Sequence, residues 1–149
     1  MSTTSLTWTS TDEPQTELAG EALARHLVGG EVLSLTGTLG AGKTVFVRGL
    51  ARGLGLPGEP VCSPSFVLAT LHEGRPGLLH VDLYRLADGA GIDDLGIEEA
   101  MEERHVVAVE WGERLPAWLA PHAWRIRIEL EGDVRRITAD PPRKDYSRR

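Results

Sequence analysis

Val32-Leu33-Ser34-Leu35-Thr36-Gly37-Thr38-Leu39-Gly40-Ala41-Gly42-Lys43-Thr44 sets the architecture of this chain. Its first five residues are β-rich, and the last eight spell G-x-x-x-x-G-K-[ST], the Walker A pattern. Beyond it Phe46, Val47, Leu50 and Leu54 recur at helical spacing until Gly55, so a glycine-rich turn joins a strand to a helix. These residue types suit a polyphosphate. Glycines allow the backbone twist that turns successive N–H groups toward an anion, and the helix N-terminus adds partial positive charge. Lys43 has the reach to span β- and γ-phosphates, and the Thr44 hydroxyl is a ligand for Mg²⁺. Lysine is rare here, with only Lys43 and Lys144 in the chain, so its place in the motif is not background. Nucleotide binding through Gly37, Gly40, Ala41, Gly42, Lys43 and Thr44 is therefore expected. Gly49 and Gly53, four apart on the helix, read as a place where a neighbouring backbone packs closely.

On the N-terminal side, residues 6–10 read as a short strand. Thr11-Asp12-Glu13-Pro14 then combines capping side chains, an early acid and an early proline, a helix start. That helix carries Leu18, Ala22, Leu23 and Leu27 at helical spacing and stops at Gly29-Gly30. On the C-terminal side, 57–64 reads as loop, and 66–71 and 78–86 read as strands of a hairpin. Leu79, Val81 and Leu83 alternate with His80, Asp82 and Tyr84, which predicts one face on the core. An acidic helical stretch with Asp93, Asp94, Glu98, Glu99, Glu102 and Glu103 follows. Residues 106–109 are apolar on both faces, as in a strand inside a sheet, and 124–130 with 134–139 read as a terminal hairpin around Glu131-Gly132-Asp133. The expected fold class is α/β, a single-domain P-loop NTPase-like sheet with a parallel centre and antiparallel hairpin additions.

Phosphoryl transfer also needs an acid near the metal, at the end of a strand beside the loop. Leu78-Leu79-His80-Val81-Asp82 and Val106-Val107-Ala108-Val109-Glu110 both qualify. The second run is apolar throughout and belongs at the centre, so Glu110 is assigned with Thr44 to the Mg²⁺ shell. Asp82, nearer the edge, becomes the residue that orients or activates water. Ser65, in Ser63-Pro64-Ser65-Phe66, resembles a switch hydroxyl that senses a γ-phosphate. Trp111 either stacks on a base or packs, and the sequence favours packing. The five histidines show no metal-ligand spacing and read as core or surface residues.

Composition narrows the classes. The chain has 149 residues, 41% hydrophobic and 26% charged, and its one cysteine, Cys62, excludes an intramolecular disulfide or a Cys-rich zinc site. A chain of this size buries roughly 70% of its unfolded surface without a staple. No apolar run approaches the ~20 residues that span a bilayer, and the N-terminus lacks a signal-peptide pattern, so a cytoplasmic protein is expected. Residues 141–149 hold four basic groups and one acid, +3, which leaves 12 basic and 21 acidic groups, −9, in the remainder. An acidic body repels a nucleic-acid backbone, so direct RNA or DNA binding by the domain is not expected. Residues 1–140 are read as the ATPase domain and 141–149 as a basic tail, either a solvated flexible end or a short contact with nucleic acid or a partner.

The order of motifs is similar to that of the TsaE family: the phosphate loop, Val-Cys-Ser-Pro-Ser-Phe, His-Val-Asp-Leu-Tyr-Arg-Leu, Leu-Gly-Ile-Glu-Glu and Val-Glu-Trp-Gly-Glu-Arg-Leu. The resemblance covers about residues 11–139. It implies an ATPase that acts with the TsaD–TsaB pair in making threonylcarbamoyladenosine beside the tRNA anticodon, with tRNA met only through that complex. Carried over, residues 40–45, including Val45, line the phosphates, Thr44 and Glu110 hold Mg²⁺, and Asp82 is needed for hydrolysis. Thr11 and the terminal hairpin near Val134 and Arg135 approach the adenosine. Where the family commonly has threonine, this chain has Ser65, which keeps the hydroxyl, and Cys62.

Two other readings fit a phosphate loop: a small-molecule kinase, and an assembly clamp that binds ATP with negligible turnover. The arginines are scattered rather than gathered in a lid after the loop, which disfavours the kinase. A guanine-reading GTPase needs an Asn-Lys-x-Asp motif, and the chain contains no asparagine.

Overall fold

The strand that enters the phosphate loop, β2 (Val32–Gly37), is buried from Val32 through Leu35, and the sheet extends from it in both directions. In the computed structural model, residues 4–38, 40–57, 61, 69–84 and 95–143 are described. The elements in order are β1 (Leu6–Ser10), α1 (Glu13–Ala24), β2, α2 (Lys43–Gly53), β3 (Ala69–His72), β4 (Leu78–Asp82), α3 (Ile97–Glu102), β5 (Val106–Glu110), β6 (Ala123–Glu131) and β7 (Val134–Asp140). Short 3₁₀ turns at Gly112–Arg114 and Ala120–His122 lie between β5 and β6. The strand order is β1-β7-β6-β2-β5-β4-β3. β6, β2, β5 and β4 run parallel; on one side β3 pairs antiparallel with β4, and on the other β7 pairs antiparallel with β6 and β1 antiparallel with β7. This is the expected parallel centre with antiparallel additions. No helix among the described residues is long and apolar enough to cross a membrane.

Side chains alternate faces along each strand, and that parity builds two cores. Leu33, Leu35, Leu78, Val106, Ala108 and Ile126 meet α1 and α2 on one face. Leu79, Val81, Val107 and Val109 meet α3 and the 3₁₀ segments on the other. β4 departs from the expectation of a single core face, because Leu78 through Val81 are all buried and His80 is fully so. The strand lies one position in from the edge, with Ile97, Met101, Leu115 and Leu119 covering its second face. It also ends at Asp82 rather than continuing to 86, since the Tyr84 N–H donates to Asp82 Oδ1 at 2.9 Å and turns the chain. Residues 66–68, 85 and 86, Asp93 and Asp94, and most of loop 57–64 lie outside the described residues.

α1 starts as its sequence directs: the Gln15 N–H donates to Asp12 Oδ1 at 2.9 Å, with Pro14 in the first turn. It ends at Ala24, not Leu27, because the chain tightens into i→i−3 bonds, His26 N–H to Leu23 O and Leu27 N–H to Ala24 O. α1 and α2 pack backbone to backbone. A Cβ at Gly49 would lie 1.9 Å from Glu17 O, and one at Gly20 would lie 2.2 Å from Phe46 O. Glu17 crosses this seam to Arg48 at 3.2 Å and Arg52 at 2.7 Å. Partial burial pushes its carboxyl pKa up, but the two guanidiniums outweigh that and hold it below its ordinary value. The close seam brings the start of α1 up beside the phosphate loop.

Candidate functional site

Parity and register bring three strand ends and one helix end together. Leu35 and Asp82 both pair with Glu110, so the ends of β2, β5 and β4 lie level. Even-numbered positions of β4 and β5 face α2, which places His80, Asp82 and Glu110 on the side from which α2 begins. Gly42 caps α2 at φ 110°, and Gly37 leaves β2 at φ 146° with its Cβ position 2.3 Å from Ile128 O; only glycine meets both demands. Consecutive parallel strands ending at a helix N-terminus are where α/β sheets bind ligands.

Lys43 is 5% exposed and turned into the loop, donating to Gly37 O at 2.8 Å and Thr38 O at 3.1 Å. Its ammonium also stands 4.5 Å from the centroid of the Trp111 ring, a cation–π contact. Burial pulls the Lys43 pKa below its usual value, opposed by the carboxylates of Glu110, Glu113 and Asp82. Beside it the Thr44 hydroxyl donates to Glu110 Oε2 at 2.7 Å, and His80 Nε2 lies 2.6 Å from the same oxygen. Glu110 is 4% exposed, so a buried carboxylate is held by a hydroxyl and a ring N–H. Trp111 takes φ 62°, an unusual conformation for a bulky residue, and packs on Tyr84 with ring centroids 4.8 Å apart.

The structure gathers most of the residues singled out from sequence. Gly37, Gly40, Ala41, Gly42, Lys43, Thr44 and Val45 form the loop and first turn of α2, with Leu39 outside the described residues. Arg135 Nε donates to Ala41 O at 3.0 Å, tying β7 to the loop. Ser10 pairs with Arg135, so Thr11, the next residue, sits next to that contact; its N–H and hydroxyl both reach Gln15 Oε1, at 2.7 and 3.0 Å. Val134 opens β7 opposite Glu131, at the turn of the same hairpin and one residue from Arg135. Trp111 packs, as its sequence context favours. Ser65 and the rest of Val61-Cys62-Ser63-Pro64-Ser65-Phe66, Val61 apart, lie outside the described residues. His80 was missed: a histidine inside a strand has a bland reading, and only the parity shared with Asp82 and the register with Glu110 single it out.

Thr44 and Glu110 offer oxygen donors of the kind Mg²⁺ prefers, and one hydroxyl with one carboxylate suits a metal completed by phosphate oxygens and water. Among the described residues, no group of three or more His, Cys, Asp or Glu is arranged to hold a metal by itself. A strand, a glycine loop with an inturned lysine, and a hydroxyl–carboxylate pair at the next strand's end define a nucleotide-binding protein of the phosphate-loop class. The sequence model of the family described as "Threonylcarbamoyl adenosine biosynthesis protein TsaE" matches residues 10–138. The chain belongs to the TsaE family and so to tRNA threonylcarbamoyladenosine biosynthesis, a role that involves partner proteins. It is 40% identical over 117 residues to the TsaE protein of Treponema pallidum, covering 78% of this chain and 86% of that one. To the TsaE protein of Streptomyces coelicolor it is 42% identical over 128 residues, 80% of this chain and 85% of that one. The crystal structure of Bacillus subtilis YdiB superposes with a TM-score of 0.70 at 29% identity, covering 95% of this chain and 88% of that one.

Proposed function

We propose that this protein is a Mg²⁺-dependent ATPase of the cytoplasm that acts on the TsaD–TsaB complex while that complex forms the threonylcarbamoyl group on adenosine beside the tRNA anticodon. The observation that carries the reading is the Thr44–Glu110 pair at 2.7 Å, set under the loop that holds Lys43 and level with Asp82. Mg²⁺ bound with ATP would neutralise charge on the phosphates and polarise the bond to be broken. The loop N–H groups from residue 40 to Val45 bind the phosphates. Lys43 exchanges the Gly37 and Thr38 carbonyls for phosphate oxygens, whose negative charge favours the ammonium form that burial disfavours. Thr44 and Glu110 hold the metal, His80 keeps Glu110 in place, and Asp82 orients the attacking water. Thr11, Val134 and Arg135 border the adenosine, Trp111 backs Lys43, and Ser65 senses the γ-phosphate. Residues 1–140 make up this ATPase domain, with 141–149 a basic tail.

ATP turnover in Mg²⁺, measured alone and with the TsaD–TsaB complex, tests the proposal. Slow turnover alone and faster turnover with the complex is expected. Tight ATP binding without turnover in either condition would make the protein an assembly clamp instead.

A further inference from the structure

On the sheet face opposite α1 and α2 there is a second concavity, a cleft of about 270 Å³. β2 and β6 make its floor: Ser34 pairs with Arg125 and Thr36 with Arg127, so two hydroxyls and two guanidiniums point to one side of the sheet. Arg143, just past β7, and Glu113, in the turn after Trp111, complete the polar lining. Three arginines against one glutamate leave the lining with two positive charges, in a chain whose formal net charge is −6. None of the three arginines has an ion-pair partner among the described residues. Arg125 Nε is buried with no hydrogen-bond acceptor among the described residues. Asp140 sits opposite Arg125 on β7, but its Oδ1 accepts from the Ser5 hydroxyl.

We propose that this cleft binds a small phosphate-type oxyanion, separately from the phosphate loop. A buried guanidinium nitrogen with no acceptor costs free energy that an incoming oxygen recovers. The guanidiniums approach from two elements, with the Ser34 hydroxyl on a third while the Thr36 hydroxyl donates to Ile126 O at 3.5 Å, which calls for a ligand with several acceptor oxygens; arginine forks match phosphate in this way. The cleft's volume of about 270 Å³ suits a phosphate or pyrophosphate rather than a length of polynucleotide, and the acidic body repels a polymer of phosphates. The site is independent of the ATPase reading, because no residue in its lining belongs to the phosphate loop.

Calorimetric titration with inorganic phosphate and with pyrophosphate tests it, using full-length Lys43→Ala so that the loop contributes little. One bound ion per chain is expected. Arg125→Gln and the exposed Arg127→Gln, each added to Lys43→Ala, should weaken binding at least tenfold, while Arg125→Lys should weaken it less. Circular dichroism of each variant shows that the fold is kept, and Arg127→Gln carries the test if Arg125→Gln unfolds. Absence of binding, or binding indifferent to all three arginine changes, overturns the proposal. Binding lost with Lys43→Ala alone assigns the ion to the phosphate loop and also overturns it. Arginine-dependent binding of tRNA in preference to either small ion would replace the small-ligand site with a nucleic-acid surface.

Discussion

Lys43 spends its hydrogen bonds on the loop's own carbonyls, Gly37 O and Thr38 O, and so keeps a buried ammonium satisfied. Under the proposed function, nucleotide binding would replace those neutral partners with charged ones, which would favour a polyphosphate. Lys43→Ala should weaken ATP binding at least tenfold by calorimetry, since one charge-assisted hydrogen bond contributes about 1.5–3 kcal/mol. Unchanged affinity would remove the basis of the reading. Glu110 and Asp82 should separate by phenotype. Glu110→Gln keeps the shape that Thr44 and His80 contact but deletes the charge, so the Mg²⁺ dependence of ATP binding should flatten in a metal titration. Asp82→Asn should bind ATP normally and lose turnover. The opposite pattern would exchange the two roles.

Among the elements, the α1–α2 pair is the one whose geometry leaves least slack. Gly49 abuts Glu17 O and Gly20 abuts Phe46 O, so the two helices meet through backbone rather than side chains. Gly49→Ala places a methyl where a carbonyl oxygen already lies and must push the helices apart. Overpacking of this kind costs about 1–3 kcal/mol, even though alanine is the better helix former. For a chain of about 150 residues each kcal/mol lowers the thermal midpoint by roughly 2–4 °C. Thermal denaturation followed by circular dichroism should show that drop; an unchanged or raised midpoint would mean that the seam yields freely. Because Arg135 and the start of α1 border the loop, the same variant should also loosen ATP binding.

At the scale of the whole molecule, the candidate nucleotide site lies at the ends of β2, β5 and β4, and the turn after β5 links it to the opposite face. Trp111 packs on Lys43 and Tyr84, and two residues later Glu113 lines the cleft. A γ-phosphate that draws together Glu110 and Ser65 would reorganise surface around both segments. Under the proposed function, the TsaD–TsaB complex should bind more tightly with a non-hydrolysable ATP analogue than with ADP. A coupling of 1–3 kcal/mol corresponds to about 5–150-fold, and by reciprocity the complex tightens ATP binding by the same factor. Ser65→Ala should shrink the difference and Ser65→Thr should preserve it. Equal affinities for the two nucleotide states would disconnect hydrolysis from the partners.

Much of this was legible in the residues before any coordinates. The G-x-x-x-x-G-K-[ST] run placed the loop, and the unbroken apolar stretch ending at Glu110 placed β5 beside β2, because a strand apolar on both faces must be covered on both. The spacing of Gly49 and Gly53 announced a close helix contact. These are local signals, carried by period, motif and composition. His80, the contact of Arg135 with Ala41, and the Ser34–Arg125 and Thr36–Arg127 pairs of the cleft needed the fold. Each depends on the register between strands far apart in the chain, on which face a given parity presents, and on where a neighbouring element happens to end. A linear pattern records how a segment alternates, but not what stands opposite it. Long-range pairing puts a histidine from β4 on a carboxylate from β5, and it sets two arginines of β6 beside two hydroxyls of β2 in an acidic protein.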